Sequence, residues 1–157
     1  MNEKIDGIHT AKSLYDGLWE LYEGKTCKRY STGFKDLDPI MKLVKPSFIL
    51  MTGTPNCGKS SLTFDIIMRT AKEHNFKFMI FSPEHSLAVN LKRLVEKYVH
   101  KPFDSMFENR CTIDEVQEAV EFINDHFFFV DKQGDSPDID WILDRARFCV
   151  DKYAVDG

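Results

Sequence analysis

The eight residues GTPNCGKS, Gly53 to Ser60, restrict the possible folds of this chain more than any other stretch. They match the pattern G-x-x-x-x-G-K-[ST], in which a short loop cradles phosphate groups. Gly53 and Gly58 allow backbone angles that a Cβ would block, so consecutive N–H groups can converge on an anion. A helix opening at Lys59 aims its free N–H groups and the positive end of its dipole at the same point. In this pattern the lysine, Lys59, reaches the β- and γ-phosphates, and the Ser60 hydroxyl holds a Mg²⁺ ion. The nucleotide-contact candidates are therefore Gly53, Thr54, Pro55, Asn56, Cys57, Gly58, Lys59, Ser60 and Ser61. The implied ligands are ATP and Mg²⁺.

The flanking sequence agrees with such a loop. Ser47 to Thr52 is an apolar run that predicts a buried strand, and the spacing of Leu62, Ile66, Ile67 and Ala71 predicts a helix from Lys59 to about His74. Asn75 can take the left-handed stop. Phe76 to Phe81 predicts a second strand and Phe127 to Val130 a third. Between them, Ser86 to Val99 reads as a helix, and Thr112 to Glu115 is a capping box for a helix ending near Asp125. Ser136 as N-cap and Pro137 at the first helical position predict the last helix, which runs to about Tyr153. Strands alternating with helices imply an α/β fold with a parallel sheet and right-handed crossovers. Ahead of this unit, Ala11 to Glu23 has helical spacing and is followed by a polar, basic linker. The expected division is a linker helix in residues 1–30 and the α/β unit in residues 31–157.

Composition narrows the class. The 157 residues are 43% hydrophobic with 13 Phe, enough for one core, and the net charge of −4 does not mark a general nucleic-acid surface. The four cysteines form no C-x-x-C pair, so they read as free thiols, and Cys57 in the loop is exposed to alkylation. No run is long enough for a membrane span, and the expected compartment is the cytoplasm.

Among carboxylates, Glu84 follows the second strand, where α/β folds place ligand chemistry. It is either a base or water-orienting group near a γ-phosphate, or a carboxylate that complements the following helix dipole. Asp131 ends the third apolar run and is a weaker Mg²⁺ candidate, while Asp156 follows too short a run to assign. Lys92, Arg93 and Lys97 read as a solvated helix face, and the histidines show no metal-ligand spacing.

Taken together, STGFKDLD, the phosphate loop and the strand ending FSPEH resemble the ATPase core of ring-shaped, RecA-like replicative helicases of the DnaB type. LKRLVEKYVHKPF, Leu91 to Phe103, and the C-terminal string from His126 resemble the Twinkle-like and phage primase–helicase branch. The resemblance implies that Lys59 and Ser60 bind the ATP phosphates and Mg²⁺, and that Glu84 is the catalytic glutamate. It implies a homo-hexameric ring translocating on single-stranded DNA, with most DNA contacts outside these residues. It places the second Mg²⁺ carboxylate beyond Gly157 and not at Asp131. On that basis only about three core strands are expected here, with the sheet centre open, and the isolated chain is expected to be aggregation-prone and unable to sustain ATP turnover. Two other readings stand beside it. One is a different RecA-like ATPase such as a recombinase; the other is a non-catalytic nucleotide-binding or interaction module built on the same loop.

Overall fold

The computed structural model describes residues 7–25, 28–131 and 137–157. After a 3₁₀ turn at Ala11–Leu14 come helix α1 (Tyr15–Tyr22) and two short strands, β1 (Arg29–Tyr30) and β2 (Leu43–Val44). They are followed by α2 (Lys59–His74), β3 (Phe78–Phe81), α3 (Leu87–Val99), α4 (Ile113–His126), β4 (Phe127–Val130) and α5 (Ile139–Tyr153). β1 and β2 pair antiparallel, and β3 and β4 pair in parallel with Phe78 opposite Phe127 and Phe81 opposite Val130.

The period of two in β3 and β4 divides their side chains between two helical layers. Phe78, Ile80, Phe127 and Phe129 join a cluster with Phe64, Met68 and Ala71 of α2, Leu94 and Val95 of α3, and Ala119 and Ile123 of α4. On the alternate positions, Phe81 meets Trp141 edge-on and Phe128 stacks on Tyr153, both from α5. Apolar continuity in the strands is thus explained by burial on both faces.

Helix ends follow local chemistry. Asn75 and His100 close α2 and α3 in the left-handed conformation. Thr112 and Glu115 form the reciprocal capping box that opens α4. At α5 the expectation is corrected. Asp138 is the N-cap, its side chain accepting from the Trp141 N–H at 2.8 Å, so Pro137 lies before the helix. Ser136 lies outside the described residues.

A larger correction concerns Ser47 to Thr52. This segment is not a strand: among the described residues, 48–53 make no backbone–backbone hydrogen bond, and Phe48 is 89% exposed. Its apolar pattern is that of a central strand, but no neighbour lies alongside it. Between it and β3 runs an apolar groove of about 500 Å³ lined by Ile49, Met51, Ile67, Phe78 and Ile80. The near side of that groove is partly occupied. Gly157 N–H donates to the Lys77 carbonyl at 3.3 Å and Met79 N–H to the Gly157 carbonyl at 2.8 Å. This alternation is that of a parallel bridge on the β3 edge opposite β4. The parallel sheet proper is therefore one ladder, β3–β4, with a second begun at Gly157.

Asp38 organises the approach to α2. It accepts from the Ser31 hydroxyl at 2.7 Å, the Thr32 N–H at 2.7 Å and the Thr32 hydroxyl at 2.8 Å. These donors, the Ser31 hydroxyl first, hold its carboxyl well below the usual carboxylate range. Next to it, Gly33 (φ +79°) lies against α2, where Arg69 Nη1 donates to its carbonyl at 3.0 Å. A Cβ on Gly33 would come within 2.5 Å of the Arg69 Cβ, an atom fixed to the helix. Gly33→Ala is expected to destabilise the chain by about 2–3 kcal/mol, from left-handed strain plus overlap. An unchanged midpoint in urea would remove this contact from the fold's requirements.

Candidate functional site

Gly58, at φ +89°, is the N-cap of α2 and places no side chain over the helix end. The first-turn N–H groups are thus left for an anion. The loop before it turns through Asn56, φ +60°. Lys59 folds back over this loop, its Nζ donating to the carbonyls of Gly53 at 3.0 Å and Thr54 at 2.8 Å. A phosphate would offer that ammonium an ionised acceptor in place of neutral carbonyls, and such bonds are roughly twice as strong. Cys57 Sγ, exposed and free, sits 3.8 Å from Nζ. A Cβ on Gly53 would lie 2.9 Å from that sulfur, so a side chain there would require the exposed Cys57 side chain to turn away.

Opposite the loop stands the end of β3. Its turn carries Glu84 and His85, and α3 contributes Arg93, Glu96 and Lys97. These side chains and seven of the nine residues between Gly53 and Ser61 line one cavity of about 680 Å³. Of the sequence-derived candidates, Gly53, Pro55, Asn56, Gly58, Lys59, Ser60, Ser61 and Glu84 share it. Thr54 and Cys57 do not line it and instead contact the Lys59 ammonium. An uncapped helix end, a lysine and a serine hydroxyl on one wall and a carboxylate on the other fit a magnesium-bound nucleotide.

Residues 30–156 match the DnaB-like helicase C terminal domain family. The chain belongs to this family. It is 31% identical over 160 residues to the Twinkle homolog protein, chloroplastic/mitochondrial, of Arabidopsis thaliana. That alignment covers 98% of this chain and 23% of the relative, so the chain spans less than a quarter of that protein. No solved structure matches it significantly. The family's fold is RecA-like, this chain is α/β with a small parallel sheet, and the resemblance read from FSPEH and its neighbours is borne out at the level of the family.

Within this DnaB-like domain, Asp131 is apart from the loop. It lines a different cavity between β4 and α5, with Trp141, Arg145 and Phe148. Asp156 has a framework role: Oδ2 accepts from the Lys77 N–H at 2.8 Å, and Oδ1 pairs with Lys45. Its sequence context could not show this, because the partners are 79 and 111 residues away. Among the described residues no group of three or more His, Cys, Asp or Glu side chains could hold a metal, and no helix is long and apolar enough to cross a membrane.

The solvated-face reading of α3 needs correction. Lys92 does face outward, pairing with Asp104 at 2.6 Å. Arg93 and Lys97, one turn apart, line the cavity instead. Lys97 bridges α3 to α2 through Asp65 at 2.7 Å and the Ser61 hydroxyl at 2.8 Å. The available signal was the i, i+4 spacing of two cations on the helix that directly follows Glu84.

Proposed function

We propose that this chain is the ATP-binding portion of an ATP-dependent replicative DNA helicase. The observation that carries the reading is the single cavity with Lys59 and Ser60 on one wall and Glu84 on the other. ATP would supply the phosphoanhydride bond whose hydrolysis drives movement. In this reading the Gly53–Ser61 backbone and Lys59 hold the phosphates, Ser60 ligates Mg²⁺, and Glu84 orients a water and accepts its proton. Residues 31–157 are then the front part of the ATPase domain, joined at its edge by the Arg29–Tyr30 strand, and the residues before that strand a linker that leads into it.

Assembly into a hexameric ring on single-stranded DNA belongs to the same proposal. Its support within the chain is α1, which buries none of its residues and leaves Leu18, Trp19 and Leu21 at least half exposed. An amphipathic helix of this kind suits a groove on a neighbouring subunit. The isolated chain binds nucleotide in this reading but does not sustain turnover.

The decisive experiment replaces Glu84 by Gln in a full-length helicase carrying this sequence. Loss of a general base is expected to lower DNA-stimulated ATP turnover by about 10²–10⁴-fold while nucleotide affinity is retained. Hydrolysis at the original rate would take Glu84 out of the reaction.

A further inference from the structure

The cavity holds three cations, and they are not equally committed. Lys59 is bound to loop carbonyls, and Lys97 is neutralised by Asp65. Arg93 has no carboxylate within ion-pair distance among the described residues; Glu96, one turn further along α3, is engaged by the Phe103 N–H at 2.9 Å. The Arg93 partner is His85: Nη2 lies 3.0 Å from the imidazole Nε2. A guanidinium can only donate, so Nε2 is the acceptor and this ring nitrogen carries no proton. The same histidine is held a second time, since Asn90 Nδ2 donates to its carbonyl at 3.4 Å. Asn90 is 1% exposed, which fixes that contact in the interior. The residue next to Glu84 is therefore clamped to α3 through both its side chain and its main chain.

We propose that Arg93 is the contact for the terminal phosphate of a bound nucleoside triphosphate, and that His85 holds it in reserve until that phosphate arrives. The inference rests on reading the cavity as the nucleotide site. A neutral imidazole is a weaker partner for a guanidinium than a phosphate, which accepts bidentately and carries charge. A γ-phosphate in the cavity therefore takes Arg93 from His85, and a diphosphate leaves the pair intact. Release of the side-chain clamp frees the turn that bears Glu84. In this way the state of the nucleotide is passed to the carboxylate by one exchange of hydrogen-bond partners. His85 is a positioning residue in this scheme, acting through Arg93.

The test compares binding of fluorescent, non-hydrolysable ATP and fluorescent ADP, both with Mg²⁺, to a full-length helicase carrying this sequence and to its variants. Arg93→Gln keeps a donor for His85 and removes the charge. It is expected to weaken the triphosphate by about tenfold, the scale of one lost charge-assisted hydrogen bond, with ADP affinity unchanged. Arg93→Lys, which keeps charge without the fork, is expected to restore part of the loss. His85→Ala, which frees Arg93, is expected to leave triphosphate binding at least as tight as in the parent helicase. Circular dichroism of each variant checks that the fold is kept. Equal weakening of ATP and ADP, or no weakening, overturns the Arg93 assignment while the nucleotide site stands. Binding of neither nucleotide by the parent helicase overturns both.

Discussion

Lys59→Ala is expected to weaken binding of magnesium-bound ATP to this chain by about 100-fold or more, the scale of two lost charge-assisted hydrogen bonds. The reasoning is geometric. Lys59 is the first residue of α2 and its Nζ already lies over the loop, 3.0 Å from the Gly53 carbonyl and 2.8 Å from the Thr54 carbonyl. Only a small swing converts those contacts into bonds to two phosphate groups. Little folding energy is at stake, because both bonds are exposed and no core residue depends on them. The far-ultraviolet circular dichroism of the variant should therefore overlay that of the parent chain. Fluorescence anisotropy of a labelled ATP supplies the affinity. If the variant binds within tenfold of the parent, the backbone N–H groups and the α2 dipole hold the anion by themselves, and the lysine has another role.

The elements that local chemistry decides were legible in the chain. The α2 limits and the Thr112–Glu115 box of α4 are set by neighbours within four residues, and both appear where the residues put them; α3 starts one residue later than its spacing suggests, with Ser86 as its N-cap. The strands were legible only where a partner exists. Phe78–Phe81 and Phe127–Val130 satisfy each other's backbone and form a ladder; residues 47–52 carry an equally strong apolar pattern and form none. Strand identity is a property of a pair, and single-chain periodicity reports one half of it. The antiparallel contact of Arg29–Tyr30 with Leu43–Val44 was missed because two residues per strand leave no period to read.

The candidate site divides in the same way. Its loop wall comes from seven of nine consecutive residues and was readable from their order. The opposite wall comes from a turn and a helix, and Glu84 was readable through its place at a strand end. His85, Asn90 and Arg93 were not, since what joins them is a set of hydrogen bonds between groups five and eight residues apart. A cation on a helix looks the same in sequence whether it faces water or a cavity. Only the packing of Leu94 and Val95, 0% and 1% exposed, fixes which way α3 turns and so points Arg93 inward.

The apolar groove beside β3 should dominate the solution behaviour of the isolated chain. Phe48 is 89%, Leu50 73% and Ile49 51% exposed, and the main chain of this segment has no backbone partner among the described residues. Unpaired N–H and C=O groups flanked by large apolar side chains form a template for strand addition. At micromolar concentration the 157-residue chain is therefore expected to self-associate and to bind a hydrophobic dye such as ANS strongly. Phe48 and Leu50 alternate with Ile49 and Met51, which line the groove, so charging the first pair leaves the groove wall in place. A Phe48→Lys, Leu50→Lys variant is expected to scatter less light and to lose most of the dye signal, with helix content unchanged. Dynamic light scattering and dye titration measure both. A parent chain that stays monomeric and dye-silent would mean that the 48–52 segment is covered in solution, with the groove closed by the chain itself.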